Sequence, residues 1–346
     1  MCINAIFQML HTMASKIYPF LAARLSSDIL PSNMAWMNQT SFYQALKPLF
    51  WCMKIVGLLN GVPLLGKEND TNTTKSCAGR IYTIYAVLVI LILWFNLALA
   101  LSTFIGVSEF NGIVCNQIIT SMWFFQIAHC SVCNFFLSKH LKEFCEQFDR
   151  VAKSINFDNY GYIRKCGICA TILFVMWICI AFTFTALGTY FDSGSTAGPF
   201  GNVSPAVAIL MRIIFLIIYF YFTSTWYLII SSFFVVCLVL TKTYKHFNKN
   251  FKKCFENGRF MGDIEKSRKQ HEQLCRVLAQ ADKVFSMYVM SSIGTVIPLI
   301  IFTLYFVLFE SVDTFSFIAT WWSACLSMIQ ILIIFLGGGV VNHQVR

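Results

Sequence analysis

The chain has 346 residues, of which 57% are hydrophobic and 12% are charged, and its net charge is +10. A mean hydropathy of +0.66 excludes an ordinary soluble domain. The apolar residues come in runs of about twenty or more, the length that a helix needs to cross a bilayer. Since the short alternating strands of a membrane barrel are absent from the sequence, the pattern predicts an all-α, polytopic membrane helical bundle.

Residues 1–80 are predicted to form a cytosolic N-terminal region. Its first 36 residues lack the basic start and the cleavage site of a signal peptide, and we expect Met37 to be the functional start. The apolar segment 42–65 is interrupted by two lysines, a proline and a Gly-Val-Pro turn. These breaks favour a helix at the membrane interface over a span. A polar linker follows.

Residues 81–346 are predicted to form the transmembrane helical bundle. The fourth apolar stretch is longer than a bilayer is thick, so we expect either that its polar end projects into the cytosol or that the helix tilts. The six predicted spans are 81–105, 113–137, 167–190, 207–240, 284–309 and 316–341.

The basic residues define which side of the membrane each loop occupies. The N-terminal region, the loops 138–166 and 241–283 and the C-terminus together hold 25 of the 26 Lys and Arg residues. The short loops between the other span ends contain acidic residues and no basic ones. Because Lys and Arg are retained in the cytosol, both termini and the two long loops are predicted to be cytosolic. There the basic residues meet anionic lipid, and no nucleic-acid partner is predicted.

The loop 241–283 contains an amphipathic segment. Its apolar residues recur at helical spacing, in one stripe made of Leu274, Val277, Leu278, Ala281 and Phe285. The stripe leads into the fifth span without a Gly or Pro break, so one helix is predicted to rise from the cytosol into the membrane. A cytosolic helix with an apolar stripe needs a protein partner, and we expect helix 263–283 to meet its counterparts from neighbouring subunits.

A few polar side chains lie inside the predicted spans. Gln126, His129 and Gln330 are expected to form hydrogen bonds between helices. No acidic residue falls in the middle of a span, whereas a polytopic enzyme or transporter typically has paired acids there. The sequence therefore predicts no catalytic residue, no metal site and no cofactor.

Three segments resemble the insect gustatory receptor family, within the insect chemoreceptor superfamily. They are the Leu- and Pro-containing segment from Leu46 to Leu58, the segment from Leu274 to Ser286, and the small-residue end of the last span, Gly337 to Asn342. Their order and the inside N-terminus follow the family pattern. The resemblance implies a seven-span, tetrameric, ligand-gated cation channel that detects small-molecule tastants, in the plasma membrane of chemosensory neurons.

The sequence departs from this family at its end. The family's seventh span lines the pore and contains the signature Thr-Tyr, five apolar residues, Gln-Phe, which is not found here. We expect the native transcript to continue past Arg346; the alternative is a non-conducting truncated subunit. A G-protein-coupled receptor is a further alternative, but it requires an outside N-terminus, which the charge placement opposes.

The resemblance also implies a ligand pocket among the outer halves of spans two to six. Aromatic residues at that depth could line it, although lipid-facing aromatic residues are the ordinary alternative for each of them and above all for Trp321 and Trp322. Arg212, the one cation inside a span, could contact ligand, snorkel to the interface or pair with Glu310 or Asp313. The expected ligand-binding residues are Trp123, Phe184, Tyr190, Arg212, Tyr219, Phe302, Tyr305, Phe306 and Trp322.

Overall fold

A computed structural model of the chain describes residues 41–59, 72–105, 112–191, 205–256, 259–309 and 314–345. Within these ranges the chain is helical apart from short turns and one hairpin of two two-residue strands, which confirms the predicted all-α bundle. The elements are α1 (Ser41–Ala45), α2 (Lys47–Ile55), α3 (Asn72–Ser102), α4 (Gly112–Ser154), α5 (Tyr160–Phe191), α6 (Pro205–Lys253), β1 (Phe255–Glu256), β2 (Arg259–Phe260), α7 (Ile264–Phe309) and α8 (Thr314–Val345).

Five of the described helices are long and apolar enough to cross a membrane, namely α3, α5, α6, α7 and α8. The predicted second span lies in α4, which is not among the five. Its apolar residues are interrupted by Asn116, Gln117, Gln126, His129 and Asn134, which lower its mean hydropathy. That α4 crosses the membrane therefore stays a prediction.

The packing of α4 supports that prediction. Helix α4 makes its most extensive contacts with α7, and the pairing extends along most of both helices. At one end the Cys115 thiol donates to the carbonyl oxygen of Phe302, and at the other the Gln280 amide donates to Glu143 at 2.6 Å. Because α7 is apolar enough to span, a helix that pairs with it from end to end would cross with it.

Helix α6 occupies the middle of the bundle, and its apolar stretch is the most buried among the five candidate spans. It contacts all five other long helices and also α2. Its approach to α8 is close at Gly337, where an added Cβ would lie 3.2 Å from the Cys237 sulfur and from a ring carbon of Phe233. Small residues at such positions let two membrane helices pack tightly, so the α6–α8 contact depends on this glycine.

Helices α1 and α2 together form what we call the N-terminal wedge, residues 41–55. The wedge packs against α4, α5 and α6, with Phe42, Leu46, Leu49 and Phe50 almost fully buried. One face of the wedge, which includes Trp51, remains exposed, whereas most of its apolar side chains fill the bundle core. That this segment lies at the membrane interface stays a prediction.

A buried carboxylate holds the N-terminal wedge in place. Asp149 on α4 accepts a hydrogen bond from the backbone N–H of Phe42 at 3.1 Å and another from the Tyr160 hydroxyl at 2.9 Å. The N–H groups at the start of a helix have no partner within it, so this carboxylate caps α1 from a neighbouring helix. Asp149 thereby joins the wedge, α4 and α5 at one point.

The two long loops predicted to be cytosolic are mostly helical. Helix α4 continues to Ser154 and α6 to Lys253, well past the predicted span ends. Helix α7 runs without interruption from Ile264 to Phe309, which confirms that one helix rises from the polar segment into the apolar span. Its start is capped by Asp263, whose side chain accepts the Lys266 N–H at 3.0 Å.

The apolar stripe on α7 is covered within the subunit, so the expectation that it needs another protein was wrong, whereas the meeting of helix 263–283 with its counterparts stays a prediction. Leu274, Val277 and Ala281 are buried within the subunit itself, in the same core as Phe148 of α4 and Tyr244 of α6. The sequence pattern identified a face that must be covered, and α4 extends far enough beyond its predicted span to cover it. The stripe therefore requires no neighbouring subunit.

Candidate functional site

Five aromatic side chains from four helices form one cluster, which is buried at Trp226 and exposed at Trp322. The Trp226 ring of α6 lies 5.5 Å from the rings of Trp123 on α4 and Trp177 on α5, measured between centroids. Trp177 also stacks on Trp322 of α8 at 6.0 Å, and Phe222 lies 6.2 Å from Trp123. Aromatic pairs at these distances attract each other beyond the effect of their buried area. We call these five residues the tryptophan cluster.

A second apolar group continues the tryptophan cluster toward the far end of α7. Phe302 and Phe306 pack with Cys115, Ile119 and Leu299, and Trp123 contacts the same group. Cys115 lies in the first turn of α4, and Phe306 in the last turn of α7. The predicted topology puts both of these helix ends at the outer surface, so this group extends outward from the cluster.

A buried polar network adjoins the tryptophan cluster and shares Trp226 with it. The indole N–H of Trp226 donates to the side-chain oxygen of Gln330 at 2.9 Å, and the Gln330 amide donates to Ser292 at 3.0 Å. Gln126 of α4 donates to the same serine at 3.4 Å. We call Gln126, Trp226, Ser292 and Gln330 the glutamine network. It connects α4, α6, α7 and α8 through side chains that are nearly inaccessible to solvent.

The glutamine network and its neighbour His129 confirm the expected interhelical hydrogen bonds. Gln126 and Gln330 bond to α7 and α6 as described, and the His129 ring nitrogen lies 3.1 Å from the Ser291 hydroxyl of α7. A polar group in hydrocarbon that lacked such a partner would destabilise the bundle. These bonds therefore fix the rotation of α4, α6 and α8 against α7.

Several buried polar atoms around the tryptophan cluster have no hydrogen-bond partner among the described residues. They include the indole nitrogens of Trp123 and Trp177 and the hydroxyls of Ser224 and Thr225 on α6. Buried polar groups in proteins are normally paired, so unpaired ones need an explanation. The two unpaired indole donors belong to the tryptophan cluster itself, and a small ligand with hydrogen-bond acceptors could engage them.

The structure brings together part of the predicted ligand-binding set. Trp123, Phe302 and Phe306 share one apolar group, and Tyr219 stacks on Phe222 of the tryptophan cluster at 6.4 Å. Trp322 joins through Trp177, and Tyr305 remains partly exposed on α7. The side chains of Phe184, Tyr190 and Arg212 lie outside those that the structure describes, as do Glu310 and Asp313. The ligand-binding role of the whole set stays a prediction.

The sequence model of the family described as "7tm Chemosensory receptor" matches residues 46–346. The match covers the N-terminal wedge from Leu46 and all the long helices. The chain belongs to this family. This membership makes it a multi-pass membrane chemoreceptor. No curated protein matches the chain closely enough to add a named relative.

Sequence reasoning missed the central residues of this chemoreceptor's candidate site. Trp226, Trp177 and Phe222 were not among the expected residues, because they lie near the middle of their helices, whereas the ligand pocket was expected in the outer halves of the spans. A usable signal was present in the segment that contains Ser224, Thr225 and Trp226, where small polar residues precede an aromatic one inside an apolar run. Polar groups within a span point to contacts with other helices or with ligand.

Proposed function

We propose that this chemoreceptor is a gustatory receptor of the insect type, a subunit of a ligand-gated cation channel that opens for small-molecule tastants. The observation that supports it is the tryptophan cluster, an aromatic centre with unpaired polar atoms that shares Trp226 with the glutamine network. The subunit would act in a homo- or hetero-tetramer in the plasma membrane of chemosensory neurons, as the family resemblance implies.

The proposed mechanism is a shift in the population of two bundle arrangements. A ligand that stacks against Trp123 and Trp226 and accepts hydrogen bonds from the unpaired indole N–H groups of Trp123 and Trp177 would favour the arrangement that admits it. Any displacement of the Trp226 ring strains its bond to Gln330, and Gln330 is bonded to Ser292 on α7. Because α7 is one continuous helix, a rotation in the membrane would reach its cytosolic end.

The first test is electrical recording from oocytes that express the chain together with channel-forming chemoreceptor subunits. A panel of sucrose, fructose, caffeine and quinine would be applied to wild type, Trp226→Phe and the control Trp51→Phe. Trp51 is exposed on the N-terminal wedge, so its replacement leaves the tryptophan cluster intact. Trp226→Phe removes the hydrogen bond that couples the cluster to Gln330, and a coupling of about 1.4 kcal/mol corresponds to an about tenfold shift in the half-maximal concentration of an active tastant.

Two results would contradict the proposal. One is the absence of any chain-dependent current for the whole panel, and the other is an equal response of the Trp226→Phe and Trp51→Phe variants. Recording with GDPβS in the pipette separates the channel from a G-protein-coupled receptor, since only the channel's current survives. If uptake of the stimulus accompanies the current in proportion, the chain is a transporter.

A further inference from the structure

We propose that the cytosolic ends of α4 and α7 form a binding site for a phosphate-bearing anion. The two helices enclose a cleft with a volume of about 150 Å³, lined by Gln147, Arg150, Val151, Gln273 and Arg276. We call it the basic cleft. The inference does not depend on the identity of the tastant or on channel activity.

The basic cleft presents an excess of unused hydrogen-bond donors. A guanidinium has five N–H donors, and Arg150 uses one of them for the carbonyl oxygen of Glu146 at 3.3 Å. Among the described residues Arg150 forms no ion pair. Two guanidinium groups with free edges match the geometry of phosphate oxygens, which favours phosphate over a monovalent halide.

The carboxylates near the cleft do not neutralise it. Glu272 of α7 bonds to Arg276 at 2.6 Å and also approaches Arg268 at 3.8 Å, so one acid serves two guanidinium groups. On α4 the Glu146 side chain pairs with Lys142 at 3.8 Å. Arg150 is thus left as a cation without a countercharge from either helix that encloses the cleft.

A buried amide adds a second, independent observation. The side-chain oxygen of Gln147 is buried and has no hydrogen-bond partner in the described part of the chain. An amide in a cleft can present either its oxygen or its NH₂ group to a ligand, and the two orientations differ only by a flip. Gln147 can therefore donate to a phosphate oxygen or accept from a phosphate hydroxyl, and the ligand satisfies a group that is otherwise unpaired.

The depth of the cleft favours a soluble anion over a lipid headgroup. Arg276 lies eight residues before the predicted start of the fifth span, which at 1.5 Å per residue is about 12 Å into the cytosol. Arg150 lies thirteen residues beyond the predicted end of the second span, or about 20 Å. A phosphate carried by a soluble molecule reaches this distance from the membrane freely, whereas a phosphoinositide would have to rise out of the plane of the neighbouring lipids.

Binding would join the cytosolic ends of the two helices that pack most closely. Gln126 of α4 and Ser292 of α7 belong to the glutamine network, so the helices that hold the anion are also the ones that meet at the candidate ligand site. An anion that bridges Arg150 and Arg276 stabilises one spacing of the two ends. The site could thereby set the ease with which α7 moves.

The test is calorimetry on the purified receptor in detergent, titrated with inositol 1,4,5-trisphosphate and with inorganic phosphate. A parallel arm uses the receptor reconstituted in phosphatidylcholine vesicles with or without phosphatidylinositol 4,5-bisphosphate. Saturation by the soluble compounds identifies a soluble ligand, and binding confined to the phosphoinositide vesicles identifies a lipid headgroup. Either result supports the site.

The variants are Arg150→Gln and Arg276→Gln, with Arg268→Gln as the matched control on the same exposed surface of α7. Each cleft substitution should weaken binding about tenfold or more, since a charged hydrogen bond contributes about 1.5–3 kcal/mol. The control should change it less than about threefold, the factor that corresponds to a loss of about 0.6 kcal/mol. Gln147→Leu, which retains both cations, should also weaken binding.

The proposal fails if the wild-type receptor binds neither the soluble compounds nor the phosphoinositide vesicles. It also fails if Arg268→Gln weakens binding as much as the cleft variants do, because the effect is then one of general surface charge. Melting temperatures recorded without phosphate exclude misfolding as the cause of a loss. If a cleft variant melts lower, the result for Gln147→Leu decides the question.

Discussion

Replacement of Gln330 by Leu tests whether the glutamine network holds the bundle together. Gln330 is 1% exposed and forms two good hydrogen bonds, one from Trp226 at 2.9 Å and one to Ser292 at 3.0 Å. Its contact with the Tyr288 hydroxyl at 3.5 Å is at the limit of hydrogen bonding and adds little. Interhelical bonds of this kind in membranes contribute about 0.6 kcal/mol on average and up to about 1.7. Gln330→Leu should therefore lower the free energy of unfolding by about 1–3 kcal/mol.

The free energy of unfolding can be measured by steric trapping of biotinylated receptor in bicelles. A double-mutant cycle with Trp226→Phe isolates the bond between these two residues, and we expect a coupling energy of about 0.6–1.7 kcal/mol. The matched control is Gln44→Leu, because Gln44 is exposed on the N-terminal wedge. A coupling energy indistinguishable from zero would refute the claim that the network stabilises the bundle.

Three further predictions concern the N-terminal wedge and can be checked by melting temperature. Gly167→Ala should lower the melting temperature, because the added Cβ would lie 2.9 Å from a leucine methyl of the wedge. The control Gly161→Ala meets nothing within 4 Å and should leave the melting temperature unchanged, so equal effects would contradict the packing. Tyr160→Phe should lower it by removing the bond to Asp149, and Tyr160→Phe should have little further effect in an Asp149→Ala background; additive losses would show that the pair does not interact. Burial, with a smaller contribution from a neighbouring lysine, lowers the pKa of Lys54 to about 8. Folding therefore disfavours the charged form of Lys54, and the melting temperature should rise between about pH 8 and the ordinary lysine pKa. This rise should vanish in Lys54→Met, and an unchanged rise would show that another group causes it.

Periodicity and charge placement were sufficient to predict most of the helices. Long apolar runs define spans because the backbone in hydrocarbon must satisfy its own hydrogen bonds, and this requirement needs no tertiary information. For the same reason the continuous helix Ile264–Phe309 could be predicted from a stripe that leads into a span without a break. The least apolar helix, α4, was also predicted, but its polar residues could be understood only once Gln126 and His129 were found to face serines of α7.

The centre of the candidate site could not be predicted in the same way. Trp177 and Trp226 are separated by a loop and lie on different helices, and their contact depends on the rotation of α5 and α6 about their own axes. Sequence patterns give the face that avoids water, but inside a bilayer nearly every face of a span is apolar. The amphipathic pattern that usually indicates how a helix is rotated is therefore weak here. The expectation of a pocket in the outer halves of the spans left out the aromatic residues near the middle of the helices.

What the sequence determined by itself was the class of protein, the position of the helices and the predicted side of the membrane for each basic segment. These properties follow from local chemistry: apolar length, helix periodicity and the distribution of Lys and Arg. Only the tertiary structure decided which buried groups meet. The extension of α4 to Ser154 places Phe148 in one core with the apolar stripe of α7, and the close pairing of the same two helices puts Arg150 and Arg276 on one cleft. Both outcomes depend on how the helices pack, because side chains far apart in sequence become neighbours only when the helix faces that contain them pack against each other.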